Sequence, residues 1–330
     1  MAKQIKLNID VSGEYRRLSR KNIWIIFAVI LITLVLATIN LFLGPINIFN
    51  CEDPAMIISN LRLPHVLTSL LVGAVLGVCG CILQSTLGNP LASPSTMGIS
   101  QGAACGACIG IIIFGTSLIV IPLAFIFALL PTLLILAFSK RKNINATSII
   151  LAGIAMSIFF GGLVAIIEYF ADSTKVAEVV FWTFGSVYSC SKPDIIMIFI
   201  VAIIMIVYGI LNAINLNALE CGDMTAHTIG VNVKTQRIRH LIVAAAGAAC
   251  VTAFCGTINF IGLIAPHVMR KFIGANYKYL IPTSALCGAA IVTLSDIISS
   301  NIMTGAILPI GAITSFIGAP IFIYVLLKKK

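Results

Sequence analysis

Few side chains in this sequence could perform chemistry, and most of them lie inside long apolar runs. Cys105 and Cys108 are three positions apart, so on a helix they would share one face, where a pair of sulfur ligands for a metal ion is conceivable. The chain has ten cysteines, but none of their spacings is typical of a zinc site. Small buried residues that pack one helix against another explain these cysteines more simply.

The acids and histidines do not form a recognisable catalytic set. Asp296 is the only acid inside an apolar segment, whereas an intramembrane aspartyl protease needs two. His267 also lies in an apolar segment and has no evident nucleophile as a partner. An ion-coupled carrier usually keeps ionisable groups within the membrane, so Asp296 leaves that class open. The simpler interpretation of Asp296 is a buried acid bonded to a neighbouring hydroxyl or helix end.

The glycine pattern excludes the usual ATP site. The sequence holds no GxxxxGK[ST] loop and no Gly-Lys pair at all, so the phosphate cradle of P-loop proteins is missing. Energy or chemistry must therefore come from another chain.

The elements that carry these residues are predicted to be membrane-spanning helices. Between Arg62 and Lys140 there is no Asp, Glu, Lys or Arg, and only 10% of all residues are charged while 59% are hydrophobic. The mean hydropathy is +1.09. A soluble domain carries about 25% charged residues, whereas about 20 apolar residues cross a bilayer as a helix. The composition predicts an all-α integral membrane protein.

Apolar runs and turn residues predict about ten spans, behind a cytoplasmic tail at residues 1–22, in one membrane domain at residues 23–330. The predicted spans are 23–43, 66–88, 97–116, 118–138, 147–167, 194–213, 241–258, 260–273, 280–300 and 306–327. The eighth span, with a length of about 21 Å at 1.5 Å per residue, is too short for the hydrocarbon core of about 30 Å. It is predicted to be a short or partly buried helix.

The basic residues predict the orientation. With both termini in the cytoplasm, 18 of the 21 lysines and arginines fall on the inner side, and only Arg62, Lys175 and Lys192 fall outside. This asymmetry is typical of membrane topology. The net charge of +10 therefore does not indicate nucleic-acid binding. The long inner connection at 214–240 is the natural docking surface for a partner, and the outer stretch 168–192 is predicted to carry a short helix near 177–182.

Several ordered motifs resemble one family, the FecCD-type permease subunits of binding-protein-dependent ABC importers for iron siderophores, haem and vitamin B12. The resemblance covers the chain from Leu61 to its carboxyl end. The motifs are LRLP at 61–64, GNPLA at 88–92 with MGIS at 97–100, LAG at 151–153, FWTFGS at 181–186, GD at 222–223 with IGV at 229–231, GTINFIGLIAPHVMR at 256–270, LPIG at 308–311 and GAPIF at 318–322. Their structural residues include Asn89, Pro90, Gly98, Trp182, Gly185, Pro266, His267, Arg270, Pro309, Gly311 and Pro320.

The resemblance implies a vitamin B12-importer-type permease fold and three groups of functional residues. The residues that dock on the ATPase would be Glu220, Gly222, Asp223, Ala226 and Gly230. Those that meet the substrate-binding protein would be Arg62 and His65, and those at the inner gate Asn145, Ala146 and Thr147. An ordinary solvated loop at 220–231 and a headgroup anchor at Arg62 remain the alternatives.

The other motif residues have physical interpretations of their own. Pro266 frees a backbone carbonyl, which His267 or Arg270 could satisfy; a structural role for His267 is favoured over ligand binding. Trp182 is either an interfacial anchor or a substrate contact. Gly98 begins a run of glycines at every fourth position, to 110, which gives a smooth face for helix packing.

The resemblance implies a non-catalytic permease subunit that carries a metal chelate inward across the bacterial or archaeal cytoplasmic membrane. Ferric siderophore is the first choice, with haem and cobalamin as alternatives. The implied partners are a cytoplasmic ATP-binding subunit that holds ATP and Mg²⁺, an extracellular or periplasmic substrate-binding protein, a second permease copy and membrane lipid. No cofactor or metal is expected on this chain itself. An ion-coupled secondary carrier and an intramembrane enzyme are the rival classes, and the redox states of Cys51 and Cys190 stay open.

Overall fold

The computed structural model describes residues 11–44, 53–115, 117–141, 145–303 and 308–327. Cys51 lies outside these residues. Within them the secondary structure is helical throughout, which confirms the predicted all-α class.

Each of the ten predicted spans corresponds to a helix. These are α1 (Val11–Phe42), α2 (Pro54–Thr86), α3 (Ile99–Phe114), α4 (Ser117–Arg141), α5 (Ala146–Tyr169), α7 (Lys192–Leu211), α10 (Val233–Cys255), α11 (Ile261–Ile273), α12 (Tyr277–Asn301) and α13 (Ile310–Leu327). The described residues also form three shorter α-helices, α6 (Ser173–Thr183), α8 (Ala213–Glu220) and α9 (Asp223–Thr228), and one 3₁₀ turn at Ser95–Met97. Among the described residues, seven helices are long and apolar enough to cross a membrane, and α3 and α13 are shorter apolar helices.

The eighth predicted span is indeed short, because α11 has only 13 residues. The predicted outer helix is confirmed as α6, and it is longer than expected at both ends. The boundaries differ most at the starts of α1, α2 and α10. Helix α1 begins twelve residues before its predicted span and includes the second half of the predicted cytoplasmic tail. Helix α2 begins at Pro54, twelve residues before the predicted span, and passes through Arg62 in a π-helical turn. Helix α10 begins at Val233, because the side chain of Asn232 accepts a hydrogen bond from the backbone of Thr235 and caps the helix.

The centre of the molecule is the contact between α2 and α12, which bury most of their length. Glycine permits their close approach. A Cβ placed on Gly73 would lie 2.3 Å from the carbonyl oxygen of Gly288, and one on Gly80 would lie 1.7 Å from that of Gly262 in α11. Small residues at such crossings let helix backbones touch. The resulting van der Waals packing stabilises the contact, because the hydrophobic effect does not drive helices together in lipid.

The glycine repeat predicted for packing lies on α3 and faces α4. A Cβ on Gly102 would meet the carbonyl of Phe127 at 2.3 Å, and one on Gly106 would meet that of Leu123 at the same distance. Cys105 and Cys108 are buried in this packed region. Within the described residues, no group of three or more His, Cys, Asp or Glu side chains could hold a metal ion.

We call the end of the bundle that carries Arg141, Lys234, Arg237 and Arg270 the inner end, following the distribution of basic residues. The opposite end, where α6 lies, is the outer end.

Candidate functional site

A short helix, α9, stands at the inner end between two glycines in conformations that favour glycine. Gly222 precedes it with φ of 100°, and Gly230 follows it with φ of 85°. Asp223 is its first residue, where a negative charge is favourable at a helix amino terminus. Ala226 is fully buried against α8, while Met224 is 86% exposed. The helix therefore rests on one small residue and presents its other side chains outward.

Arg237 of α10 ties α9 to the transmembrane bundle. Its Nη2 lies 2.6 Å from Oδ1 of Asp223, and its Nε donates to the carbonyl oxygen of Thr86, the last residue of α2, at 3.1 Å. Only 12% of the Arg237 side chain is exposed, compared with 55% of Asp223. Sequence reasoning placed Arg237 among the topology charges and missed this role, because nothing local marks a pair 14 residues apart.

Glu220 at the end of α8 forms a second link to the bundle. Its carboxylate accepts from Arg270 Nη1 and, at 2.8 Å, from the hydroxyl of Tyr277. Arg270 Nη2 also donates to that hydroxyl at 2.8 Å. The Tyr277 backbone N–H donates to Asn217 Oδ1 at 2.9 Å. Glu220, Arg270 and Tyr277, which we call the α8 clamp, join α8 to α11 and α12.

The α8 clamp changes the interpretation of Arg270 in the motif at 256–270. Sequence reasoning offered Arg270 as a partner for the carbonyl freed by Pro266; its guanidinium binds the Glu220 carboxylate instead, since a charged oxygen is the stronger acceptor. His267 is half-buried and borders a small cavity with Ile321 and Phe322 of α13. Tyr277 was not recognised from the sequence.

Two of the five predicted coupling residues and one of the predicted gate residues line the same inner cleft. This cleft has a volume of about 730 Å³ and is bordered by Asp223, Gly230, Arg237 and Asn145. Asn145 caps α5, because its Oδ1 accepts from the backbone of Ser148 at 2.9 Å. Of the other two gate residues, Ala146 packs partly against the core and Thr147 is exposed.

The predicted docking residues at the outer end lie in a compact polar cluster. Arg62 is only 6% exposed, and its Nη1 donates to the carbonyl of Leu43 at 3.1 Å. His65 packs edge-on against Tyr188 with ring centroids 4.1 Å apart. This conformation turns the Arg62 guanidinium back into the protein. A docking role for Arg62 stays a prediction, and it requires the side chain to leave this position.

Asp296 belongs to the same cluster. It is fully buried on α12, and its Oδ2 accepts a hydrogen bond from the Asn40 amide at 2.8 Å. Oδ1 has no hydrogen-bond partner. Its burial agrees with the structural interpretation of this acid; the Asn40 amide that bonds it was not anticipated, because it comes from α1, far away in sequence.

The outer motifs meet where α6, α10 and α13 converge. The backbone N–H of Gly311 donates to the carbonyl of Phe184 at 3.0 Å. Gly185 has φ of 72°, and a Cβ there would approach the Thr257 carbonyl at 2.6 Å. Trp182 is half-buried and borders an outer cavity of about 450 Å³. The motifs at 181–186 and 308–311 are thus parts of one junction.

The remaining motif residues shape turns and helix ends. Asn89 closes the turn after α2, where its Oδ1 accepts from the backbone of Leu91 at 2.8 Å and Pro90 stands between them. Gly98 has φ of 81° and leads into α3. Pro309 lies just before α13 and accepts from the backbone of Ala312 at 3.2 Å, while Pro320 lies inside α13.

Several known proteins are similar in sequence to most of this chain. An ABC transporter permease protein of Methanocaldococcus jannaschii is 37% identical over 97% of this chain and 99% of its own. The haemin transport system permease protein of Yersinia pestis is 34% identical over 82% of this chain and 83% of its own. An iron chelatin transport system permease protein of Helicobacter pylori is 34% identical over 84% of each chain.

The fold is also that of a solved transporter. A structure described as an inward-facing conformation of a metal-chelate type ABC transporter superposes with a TM-score of 0.85 at 30% identity, covering 92% of this chain and 99% of the other. The model of the FecCD transport family matches residues 24–328. The chain therefore belongs to the FecCD transport family, and it is a multi-pass membrane protein and a non-catalytic permease subunit of an ABC transporter.

Proposed function

We propose that this chain forms the membrane path of an importer for a metal chelate, driven by a separate ATPase that docks on α8 and α9. The observation that carries the proposal is the construction of the inner end. Helix α9 exposes Met224 and, just after its end, Ile229 at 60%, while two sets of charged hydrogen bonds join α8 and α9 to the bundle. Exposed apolar side chains on helices that are fixed to the bundle by charged hydrogen bonds are suited to binding another protein.

Coupling follows from the two links. A displacement of α9 reaches the end of α2 through Asp223 and Arg237, and a displacement of α8 reaches α11 and α12 through the α8 clamp. ATP and Mg²⁺ would be held by the partner. Glu220, Gly222, Asp223, Ala226 and Gly230 thus act as a docking and transmission unit in this proposal, and Asn145 to Thr147 act as the gate across the shared cleft.

The path would lie between two copies of this chain, lined by α5 and α13. Among the described residues of α5 only Ile149, Gly153 and Phe160 are buried. Large apolar side chains on both helices face outward, among them Ile158 and Phe316. A second copy of the chain or lipid covers such surfaces, and in this proposal the second copy covers α5 and α13.

A ferric siderophore is the first choice of cargo, with haem and cobalamin as alternatives. The iron chelatin and haemin permeases are equally similar to this chain, so likeness alone does not separate the first two. A metal that arrives inside its chelate needs no protein ligands, so an apolar wall suffices. Delivery by an extracellular or periplasmic binding protein completes the proposed system.

The coupling proposal is tested in proteoliposomes that contain this chain, its ATPase and its binding protein. Asp223→Arg should weaken ATPase association at least tenfold and abolish uptake, because it places a second positive charge beside Arg237. Membrane insertion should stay close to wild type. Lys234→Ala, on an exposed side chain of the next helix, is the matched control. Unaltered ATPase association in Asp223→Arg would overturn the docking assignment.

The cargo is tested by uptake of radioactive ferrioxamine, haemin and cyanocobalamin in the same vesicles. Saturable, ATP-dependent uptake of ferrioxamine alone supports the first choice, and a preference for either other probe replaces it. A secondary carrier would behave differently: uptake driven by an ion gradient without the ATPase would contradict the whole proposal.

A further inference from the structure

Two cysteines far apart in sequence meet at the outer end. The Sγ atoms of Cys190 and Cys255 lie 3.3 Å apart, across 65 residues of chain. Cys190 lies two residues before the start of α7, and Cys255 is the last residue of α10. The backbone around them is already joined, since the N–H of Ser186 donates to the carbonyl of Cys255 at 2.7 Å. We propose that Cys190 and Cys255 form a reversible disulfide on the outer side of the membrane.

The geometry is close to that of the bond. A disulfide holds its sulfur atoms about 2.05 Å apart, so the two atoms must approach by little more than 1 Å. Cys190 lies in a non-helical segment between α6 and α7, where its backbone can adjust, while Cys255 is held by its helix. The two side chains therefore need no rearrangement of the bundle in order to bond.

The position also suits oxidation. The basic-residue distribution places this end outside the cytoplasm, where disulfides form and persist. Cys190 is partly exposed, whereas Cys255 is only 1% exposed and borders the outer cavity with Ser186 and Ser189. An oxidant would reach Cys190 first, and Cys255 would then act as the resolving thiol.

The exchange with a small disulfide oxidant such as oxidised glutathione balances as follows. The Cys190 thiol loses its proton and its sulfur attacks the oxidant, which forms a mixed disulfide and releases one thiol. The Cys255 thiol then loses its proton and attacks the Cys190 sulfur, which releases the second thiol. Two protein thiols are oxidised by two electrons, and one disulfide oxidant is reduced to two thiols. The product joins the start of α7 covalently to the end of α10.

The test uses the full-length protein in lipid nanodiscs. After incubation with oxidised glutathione, the protein is denatured and its free thiols are labelled with a maleimide mass tag. The oxidised wild type should carry two labels fewer than the reduced protein, and its digest should contain one peptide pair cross-linked through Cys190 and Cys255. Dithiothreitol should restore both labels.

Two variants control the result. Cys190→Ser should keep every remaining thiol labelled after oxidation, while Cys221→Ser, which removes an exposed cysteine at the inner end, should still lose two labels. An unchanged label count in the oxidised wild type, or a cross-link between other cysteines, would overturn the proposal. The peptide map of the wild type decides this even if a variant fails to fold.

Discussion

Asp223 and Arg237 form an ion pair of 2.6 Å in which the aspartate is the more exposed partner and the arginine is almost covered. The aspartate belongs to the small projecting helix α9, and the arginine also bonds the last carbonyl of α2. In the proposed function, Arg237 would pass a displacement of α9 to the end of α2. The pair therefore joins the proposed docking surface to a transmembrane helix.

Replacing Arg237 with glutamine should uncouple transport from ATP hydrolysis. The variant loses the ion pair with Asp223 and weakens the bond to Thr86, so we expect uptake to fall about tenfold. ATPase association should fall less than threefold, because the docking face of α9 remains. Both quantities are measured in the reconstituted system. Lys234→Gln, one turn earlier on α10, is the control, and parallel loss of association and uptake would contradict a transmission role.

Breaking the α8 clamp should destabilise the whole protein. Arg270→Met leaves the partly buried Glu220 carboxylate without its cation, and a hydrogen bond to a charged group contributes about 1.5–3 kcal/mol. We expect a clear fall in the midpoint of thermal unfolding in detergent. Tyr277→Phe should have a smaller effect in the same direction.

The matched control for the clamp is Tyr279→Phe. The Tyr279 hydroxyl shares one hydrogen bond of 2.8 Å with Ser19, and neither group in that bond is charged. It should therefore shift the midpoint less than Tyr277→Phe does. Equal shifts of the unfolding midpoint for the two tyrosine variants would mean that the α8 clamp contributes no more to stability than an ordinary hydrogen bond.

Adding one methyl group at Gly73 should disrupt the α2–α12 contact. The new Cβ would fall 2.3 Å from the Gly288 carbonyl oxygen, which is far inside contact distance, and overpacking usually costs about 1–3 kcal/mol. Gly73→Ala should lower the yield of folded protein in size-exclusion chromatography. Gly162→Ala on α5, where a Cβ would meet nothing within 4 Å, should be tolerated; similar losses at both sites would refute the close-contact explanation.

Arg62→Ala separates a structural role of this buried arginine from the predicted docking role. Because the guanidinium is buried and bonds the Leu43 carbonyl, we expect the variant to lose thermal stability while its affinity for the binding protein changes less than threefold. Calorimetry and surface plasmon resonance measure the two effects. Normal stability together with a tenfold loss of affinity would instead establish docking by Arg62.

Much of this architecture was accessible from local sequence. Apolar runs identified every helix that corresponds to a span, including the short α11, because burial in lipid demands length and hydrophobicity within each segment. Boundaries were poorer where a charged residue joins a helix. Helix α2 begins twelve residues before its predicted start, because Asp53 caps its amino end and the guanidinium of Arg62 bonds the carbonyl of Leu43, just after α1.

The sequence alone determined the class of the protein, its helices, its expected orientation and its family, because hydropathy, charge asymmetry and ordered motifs are properties of the linear chain. Tertiary structure decided which residues act together. Asp223 meets Arg237, Glu220 meets Arg270 and Tyr277, and Cys190 meets Cys255 only because helix packing brings distant segments to the same end of the bundle. These contacts depend on which helices pack side by side, and a charged or sulfur-containing side chain meets its partner only after the chain has folded.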